Sequence, residues 1–471
     1  MKKTPLIVIG AGPAGLGGTC RLARRGCFDV TAIEREASAG GNAGSFEMAG
    51  LRVDFGSHRL HPSCAPEIMA DIRGMLGDSL LDRPRHGRIR LQGRWVHFPL
   101  KPADLVTHLP LSFAGGVLGD SLRKIGRRGT APETFEGVLE HGLGRTICRN
   151  FYFPYARKIW GLPPVELDAE QARRRVSAGS LGKMMRKVLN AVPGLKKPGA
   201  GRFFYPRNGF GAISEAYYNA AISAGARVML GTRLTGVEID ESGGVRVTVQ
   251  GPRGEETLAA RQALSTIPLS VLARLIRPAA PAAVLESASS LRFRSMILIY
   301  MVLGTEQFTE FDAHYFPDAQ IAITRLSEPK NYGLAKLPGR TVLCAELPCF
   351  QTDAVWSASD QDLGRLMMNA LAASGLPVRA KVLEVASRRL PQAYPLYTRE
   401  YREHFDRIDG WLNGIDGILT FGRQGLFAHD NTHHALAMAY AVSECLDDAG
   451  VLNRARWQEH RRAFQHHVVE D

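Results

Sequence analysis

The sequence lacks the motifs with which several enzyme classes carry their own reactive group. It contains no GxSxG, no HExxH and no phosphate-binding P-loop, and no histidine and cysteine cluster has the spacing of a metal site. We therefore predict no metal ligands. Any catalytic function has to come from an organic cofactor, with the protein positioning the substrate.

Cysteine and long apolar runs are also scarce. Seven cysteines stand at positions 20, 27, 64, 148, 344, 349 and 445 without a CxxC pair, and an odd number argues against a disulfide framework. No run reaches about 18 apolar residues, the length that a membrane span needs. The run after Lys3 is too short for a signal peptide. We expect a cytoplasmic protein.

The charge is strongly basic, with a formal net charge of +13. This excess favours an anionic partner such as a phosphate-bearing molecule or an acidic membrane surface. Nucleic acid is not expected, because no nucleic-acid-binding module is recognisable. Segments 105–122 and 181–197, each with basic residues in or after it, fit either interfacial helices or a cover over the active site. Peripheral contact with the inner membrane face is therefore a further expectation.

The most informative segment that is present runs from Leu6 to Gly18. Four apolar residues lead into Gly10-Ala11-Gly12-Pro13-Ala14-Gly15, the pattern of a strand, a tight turn and a helix that binds a dinucleotide. Gly10 permits the turn, Gly12 lets the backbone approach a pyrophosphate, and Gly15 lets the helix pack on the strand. The helix N-terminus then faces the phosphates.

A second strand, from Phe28 to Ile33, ends at Glu34, where a carboxylate can accept hydrogen bonds from ribose hydroxyls. A second glycine cluster follows, at Gly40, Gly41 and Gly44. With this cluster the chain resembles the FAD superfamily of amine oxidases, protoporphyrinogen oxidase, carotenoid desaturases and UDP-galactopyranose mutase. The resemblance implies FAD as the cofactor.

Further blocks resemble the mutase. They are Gly56-Ser57-His58-Arg59-Leu60-His61, the segment from Gly93 to Leu100, and Tyr155-Ala156-Arg157-Lys158-Ile159-Trp160-Gly161. The last resembles a block that lines the nucleotide-sugar pocket of the mutase. At Gly422-Arg423, however, the chain is more similar to the protoporphyrinogen-oxidase-like branch, because His429 and Asp430 stand where the mutase has tyrosines.

These motifs and resemblances imply three sets of site residues. The expected catalytic residues are His58 and Asp430. The expected FAD-binding residues are Gly10, Gly12, Pro13, Ala14, Gly15, Glu34, Arg35, Gly41, Asn42, Ala43, Gly56, Ser57, His58, Val237, Gly422, Arg423 and Asn431. The expected substrate-binding residues are Arg59, Arg94, Tyr155, Trp160, Arg174 (one of the three arginines 173–175) and Tyr397.

The predicted fold is α/β, with a discontinuous Rossmann-like FAD-binding domain, an inserted α+β substrate-binding lobe and a helical segment. The FAD-binding domain comprises residues 1–70, 201–280 and 412–455. The substrate lobe comprises 71–200 and 281–411, with its helical segment at 103–200, and 456–471 form a C-terminal tail.

The predicted function is a two-electron hydride transfer between FAD and a small molecule that is anionic or carries a sugar. Glycosylated, phosphorylated or amphipathic metabolites of bacterial cell-surface or natural-product biosynthesis fit this description. Two alternatives stay open: a redox-neutral isomerase of sugar nucleotides that resembles the mutase, and a flavoprotein that binds FAD without catalysis.

Overall fold

The computed structural model describes residues 3–98, 110–123, 133–175, 201–240, 243–334 and 337–469. The strands are β1 (Thr4–Ile9), β2 (Phe28–Ile33), β3 (Ser45–Met48), β4 (Leu51–Asp54), β5 (Leu80–Pro84), β6 (Gly87–Leu91), β7 (Arg94–Phe98), β8 (Arg202–Pro206), β9 (Arg227–Met229), β10 (Arg233–Ile239), β11 (Val245–Gly251), β12 (Gly254–Ala260), β13 (Gln262–Ser265), β14 (Ile276–Arg277), β15 (Phe293–Leu303), β16 (Ala313–Tyr315), β17 (Arg325–Ser327), β18 (Thr341–Cys349), β19 (Val382–Pro395) and β20 (Ile418–Thr420). The helices are α1 (Pro13–Arg24), α2 (Pro66–Leu76), α3 (Leu111–Arg123), α4 (Phe135–Leu143), α5 (Arg145–Ile147), α6 (Phe153–Trp160), α7 (Ala169–Arg175), α8 (Ala212–Ser223), α9 (Leu269–Leu275), α10 (Ala282–Ser290), α11 (Pro329–Gly333), α12 (Asp360–Ala373), α13 (Tyr401–Asn413), α14 (Gly422–Gly425), α15 (Thr432–Cys445) and α16 (Arg454–Phe464).

A five-stranded parallel sheet holds the dinucleotide-type turn. Its order is β20-β13-β1-β2-β9, so its strands come from three separated parts of the chain. The central strand β1 reads Leu6-Ile7-Val8-Ile9, and all four side chains are buried, because helices and a second sheet cover both faces. This arrangement brings the carboxyl ends of β1, β2 and β13 to one edge, where α1 begins.

Helix α1 packs closely on α15, which lies some 400 residues further along the chain. The contact depends on Gly17, where an added Cβ would lie 2.9 Å from Leu436 Cδ2 and 3.1 Å from the Ala439 Cβ. Two helices approach this closely only when one of them has no side chain at the contact. The packing places the N-terminus of α15 beside that of α1.

A second, mixed sheet of seven strands has the order β19-β15-β18-β17-β16-β6-β7. Its long strand β15, paired with β19 and β18, is buried along nearly its whole length, with one core cluster on each face. Strands β6 and β7 form a hairpin at one edge of this sheet. A four-stranded sheet, β12-β11-β10-β14, covers one face of the parallel sheet.

The described parts of segment 103–200 are helical, in α3 to α7. The basic-apolar segment 181–197, with Lys183, Arg186, Lys196 and Lys197, lies outside the described residues, as do Pro99, Leu100, residues 105–109, Lys124, Arg127 and Arg128. Within the described part of the chain, no helix combines the length and apolar character of a membrane span.

Residues 456–471, expected to be a tail, are folded as far as Val469. Helix α16 buries Trp457 and Phe464 against the core of the parallel sheet. Beyond the helix, the Val469 amide donates a hydrogen bond to the Arg174 carbonyl at 2.8 Å. Two widely spaced aromatic residues therefore anchor an otherwise polar helix in the segment predicted as a tail.

Candidate functional site

One large cavity, of about 1290 Å³, runs from the glycine turn of the parallel sheet to the face of the seven-stranded sheet. Of the residues predicted from the sequence, 17 line it: Gly10, Gly12, Pro13, Ala14, Glu34, Arg35, Gly41, Asn42, Ala43, Ser57, His58, Arg59, Tyr155, Trp160, Arg423, Asp430 and Asn431. The tertiary structure therefore brings together segments from the whole length of the chain.

The glycine turn has the geometry that its spacing predicts. Gly10 has φ +101°, and an added Cβ would lie 2.4 Å from Thr266 Oγ1, so any larger residue would be both strained and obstructed. A Cβ on Gly15 would lie 1.8 Å from the Gly10 carbonyl oxygen, which explains why Gly15 packs behind the turn and does not line the cavity. Gly12 is the N-cap of α1 and faces the cavity.

The second glycine cluster meets the first at Gly41. A Cβ on Gly41 would lie 3.2 Å from the Gly12 Cα, so the two backbones approach each other where both line the cavity. Gly41 also has a positive φ of +53°. Two bare backbone segments beside a helix N-terminus with no acidic residue in its first turn suit a diphosphate.

Glu34 lies at the end of β2 and holds the turn in place. One carboxylate oxygen accepts a hydrogen bond from the Ala11 amide at 2.8 Å, and the other accepts one from the Glu36 amide at 3.0 Å. Each oxygen keeps acceptor capacity on the cavity side, as binding of ribose hydroxyls requires. The residues present therefore fit the dinucleotide part of FAD.

Next to this half of the cavity, the loop from Phe55 to His58 follows one buried carboxylate, Asp54, and is hydrogen-bonded to another, Glu346. Asp54 accepts hydrogen bonds from Ser45, Tyr205 and the Phe210 amide, and Glu346 accepts one from the Ser57 amide at 3.0 Å. His58 stacks on Phe210, and burial lowers its pKa. His58 is therefore neutral at pH 7, with its Nε2 hydrogen-bonded to the Phe55 carbonyl at 2.9 Å.

Arginine dominates the lining of the cavity. Among the described residues, nine arginines line it, namely 35, 59, 85, 175, 233, 325, 388, 389 and 423, against four carboxylates, Glu34, Glu36, Glu346 and Asp430. Arg325 is paired with Glu346, at 2.6 Å. Arg388 lies over the Phe55 ring, with 3.7 Å from Cζ to the ring centroid. The diphosphate of FAD would neutralise only part of this positive charge.

Tyr155 and Trp160, on α6, form part of a wall of the cavity, as the resemblance to the mutase block implied. The arginine that joins them is Arg175, whose guanidinium lies 5.3 Å from the ring centroids of both Trp160 and Tyr394. Arginine placed over aromatic rings keeps its hydrogen-bond donors at the ring edges, available to an anion.

Arg423 joins the same wall. It lies over Tyr394 and donates a hydrogen bond to the Ala393 carbonyl at 2.7 Å, and its buried Nε has no partner among the described residues. Burial lowers its pKa. Its neighbour Gly422 does not line the cavity, because it packs so closely on Ala14 that an added Cβ would lie 2.7 Å from the Ala14 Cβ.

Asp430, at the N-terminal end of α15, is the acidic group of this region. Its side chain has no exposed surface, and its Oδ1 lies 3.0 Å from His467 Nδ1. Its neighbour His429 is also buried but faces away from the cavity, where Nε2 lies 3.2 Å from Gln171 Oε1.

Four side chains predicted for the site do not line the cavity. Val237 is buried in the core. Its strand, β10, is paired with β11 on one side and with β14 on the other, so at Val237 the strand has no free edge for a cofactor. Leu234 of the same strand lines the cavity instead. Arg94 is exposed at the hairpin turn. Arg174 is paired with Glu170 at 2.8 Å, and Tyr397 is buried against Tyr401, with its hydroxyl hydrogen-bonded to the Phe427 carbonyl.

Gly56 also lies behind the lining. It has φ +99°, and an added Cβ would come within 3.4 Å of Glu346 Oε1, so it lets the loop pack on that carboxylate.

Sequence reasoning missed Arg325, Glu346, Arg388, Tyr394 and Val469, all of which line the cavity. The first four lie in the β-rich segment. Along a strand, every second side chain points to the same side of the sheet, but the sequence does not say which side meets a ligand. The adjacent Arg388 and Arg389, in a strand that otherwise has one charged residue, Glu384, were the visible signal.

Comparison with known proteins gives a consistent result. Residues 13–420 match the sequence model of the family described as flavin containing amine oxidoreductase. Protoporphyrinogen oxidase 1, chloroplastic, of Arabidopsis thaliana is 23% identical over 495 residues, covering 96% of this chain and 88% of the relative.

Two solved structures share the fold. Reduced UDP-galactopyranose mutase matches with a TM-score of 0.78 at 21% identity, covering 97% of this chain and 99% of that one. A putative protoporphyrinogen oxidase from Exiguobacterium sp. 255-15 matches with a TM-score of 0.72 at 20% identity, covering 94% and 98%.

Proposed function

The chain belongs to the family of flavin-containing amine oxidoreductases and is an FAD-dependent enzyme, and from that premise we propose that it transfers a hydride between FAD and a C–H bond of an anionic metabolite. Phosphorylated, glycosylated or amphipathic compounds of bacterial cell-surface or natural-product biosynthesis are the substrate class, and the enzyme acts in the cytoplasm. FAD, when bound, supplies the two-electron chemistry.

The observation that carries this proposal is the excess of arginine in the cavity. Nine arginines against four carboxylates leave positive charge beyond the two negative charges of a diphosphate. Three of the lining arginines, Arg59, Arg388 and Arg423, have a buried Nε without a hydrogen-bond partner among the described residues. Arg388 is the best candidate for a direct contact, because Arg59 and Arg423 use other guanidinium nitrogens on Asp312 and on the Ala393 carbonyl, whereas the described residues offer the Arg388 side chain no hydrogen bond or ion pair. A buried donor of this kind costs about 1–3 kcal/mol until an acceptor arrives.

In this arrangement the residues of the chain have separate tasks. Gly12, Gly41 and Glu34 bind the dinucleotide, and Glu346 positions the loop that carries Ser57 and His58. The wall of Tyr155, Trp160 and Arg175 orients the substrate and excludes water from the reacting bond.

The charge requirement is testable with inorganic pyrophosphate, measured through its effect on the absorption spectrum of the FAD-loaded protein. Arg388→Ala should weaken pyrophosphate binding about ten- to a hundredfold, the size of one charge-assisted hydrogen bond. Arg94→Ala is the matched control, since Arg94 is exposed and outside the cavity. Equal affinities in both variants and the parent would refute an anion site at Arg388.

A redox-neutral isomerase of sugar nucleotides is the second candidate. The observation in its favour is that Tyr155 and Trp160, from the block that resembles the mutase, do line the cavity. Against it stands Asp430, which lines the cavity where the resemblance leads one to expect a tyrosine. Two like charges about 4 Å apart repel by roughly 4 kcal/mol at an effective dielectric constant of 20.

Product analysis separates the two functions. The dithionite-reduced enzyme should bind UDP-galactopyranose poorly and form no galactofuranose, whereas a true substrate should reduce the oxidised enzyme anaerobically and give a two-electron product. Formation of galactofuranose over many turnovers would overturn the oxidoreductase proposal.

A further inference from the structure

The segment that follows α16 places a histidine against Asp430, a residue that lines the cavity. His467 Nδ1 lies 3.0 Å from Asp430 Oδ1, and His434 Nδ1, one helical turn along α15, lies 3.4 Å from the same oxygen. The two imidazole rings are stacked, with centroids 4.2 Å apart and 14° between their planes. All three potential ligand atoms lie within 4.8 Å of one another.

The two separations between histidine nitrogen and Asp430 Oδ1, 3.0 and 3.4 Å, are close to the spacing of ligands around one small metal ion. Zn²⁺ binds histidine nitrogen and carboxylate oxygen at about 2.0–2.2 Å, so neighbouring tetrahedral ligands are roughly 3.3–3.5 Å apart. Two imidazoles and one carboxylate form a donor set that suits Zn²⁺ and similar transition metals, whereas Mg²⁺ and Ca²⁺ prefer oxygen alone.

An independent observation concerns the second carboxylate oxygen. Asp430 Oδ2 is buried without a hydrogen-bond partner among the described residues, and the whole side chain has no exposed surface. A buried carboxylate oxygen without a donor is costly and calls for a positive group or an ion beside it. Arg174 and Arg423 act on Asp430 through their charge, but neither donates a hydrogen bond to Oδ2. The two histidines beside Oδ1 are the groups that could share a bound ion with this carboxylate.

Binding a metal would require a local rearrangement in which one imidazole turns, because the planes of the two stacked rings do not now meet at a common point near Asp430. The Asn431 amide now donates a hydrogen bond to His434 Nδ1 at the long distance of 3.2 Å, and the metal would replace that contact. The proton of His467 would move to Nε2. Both rings keep some exposed surface, 14% for His434 and 17% for His467, so their Nε2–H groups can be hydrated.

We propose that Asp430, His434 and His467 form a binding site for a divalent transition metal of the Zn²⁺ type in the cavity wall. The metal would tie the segment after α16 to the N-terminus of α15. Val469, two residues beyond His467, itself lines the cavity, so metal binding would fix part of the wall. Because Asp430 also lines the cavity, the metal site adjoins the proposed substrate site, but the metal proposal does not depend on which reaction takes place there.

The test uses the full-length, FAD-loaded protein after treatment with a chelator. Equilibrium dialysis against Zn²⁺ should show one bound ion per chain, and the same measurement with Mg²⁺ should show none. His467→Ala and Asp430→Asn should each weaken Zn²⁺ binding by at least about tenfold, since even outer partners of metal ligands contribute that much. His466→Ala is the matched control, because His466 is the exposed neighbour of His467.

Hydrogen exchange gives a second measurement that does not depend on activity. Zn²⁺ should slow exchange of the Val469 amide, which is bonded to the Arg174 carbonyl, in the parent and in His466→Ala but not in His467→Ala. An unchanged FAD spectrum in each variant excludes unfolding as the cause. Zn²⁺ binding no tighter than Mg²⁺ binding, or equal in parent and His467→Ala, would overturn the metal site and leave the proposed oxidoreductase function untouched.

Discussion

Gly12 and Gly41 are 29 positions apart in sequence, yet their backbones come together at the cavity. An added Cβ on Gly41 would press on Gly12 at 3.2 Å, whereas one on Gly12 would be in ordinary contact with Gly41 at 3.9 Å. A side chain on either would occupy the space between the two turns, where a diphosphate is expected to lie.

Gly12→Val should therefore abolish FAD retention while the protein still folds. An added Cβ has room in the protein itself, with Gly41 Cα as its nearest neighbour at 3.9 Å, so the branched side chain obstructs the ligand more than the fold. FAD content after gel filtration measures the effect. Gly74→Val, on α2 where an added Cβ meets nothing within 4 Å, is the control. A Gly12→Val protein with a full complement of FAD would contradict the site.

Arg174 and Arg175 are neighbours with different tasks. Arg174→Ala should lower the free energy of unfolding by about 1–3 kcal/mol, because it leaves the half-buried Glu170 without its closest partner. Arg175→Ala should leave stability nearly unchanged and weaken pyrophosphate binding by about tenfold. Urea denaturation measures the change in stability, and the flavin spectrum measures pyrophosphate binding. If Arg174→Ala weakened pyrophosphate binding and Arg175→Ala lowered stability, Arg174 would be the ligand-binding residue.

At the scale of whole elements, the packing of α1 on α15 sets the shape of the site, because both helices begin at the cavity. Gly17 decides how closely they approach. In an isolated helix alanine is favoured over glycine by roughly 1 kcal/mol. Here the added methyl group would overlap with Leu436, which is fully buried, and with Ala439.

We expect the overlap to outweigh the helix propensity. Gly17→Ala should destabilise the protein by about 1–2 kcal/mol net, since overpacking a dense core costs roughly 1–3 kcal/mol. Shortening the facing residue tests the reason: the cost of Gly17→Ala should be smaller in a Leu436→Ala background than in the parent. Equal costs in the two backgrounds would show that the helices are not in contact at Gly17.

At the scale of the whole molecule, several histidines are buried in the neutral form, and this affects acid stability. Burial, together with the positive charge of Arg88, lowers the pKa of His314 from its usual 6.5 to about 3. In the unfolded chain His314 takes up a proton near pH 6.5, and in the folded protein it does not. Stability is therefore lost as the pH falls below 6.5, by about 1.4 kcal/mol per pH unit for one such group.

His314→Phe should remove this contribution and make the protein less sensitive to acid between pH 6 and about pH 4. The pH range matters because the buried carboxylates Asp54 and Glu328, whose pKa values burial raises, act in the opposite direction. Urea midpoints measured across the range, with the exposed His466→Phe as control, give the slope. A slope equal to that of the parent would contradict a neutral, buried His314.

The sequence by itself determined those features that depend on short segments of the chain. Gly10, Gly12, Gly15 and Glu34 perform their tasks within one strand-turn-helix unit, where spacing along the chain fixes position in space. The cofactor class and the parallel sheet follow from such local rules, because only certain residues fit a tight turn or a buried strand.

What only the tertiary structure decided was which side chains from distant segments meet. The residues that line the cavity are Arg175, Tyr394 and Leu234, and not the predicted Arg174, Tyr397 and Val237. A shift of one or a few positions along a helix or strand decides whether a side chain points to the core or to the cavity. The tertiary structure also brought His467 to Asp430, through a helix held down by two aromatic residues. Such contacts depend on how elements pack against one another, and no single segment of sequence contains that information.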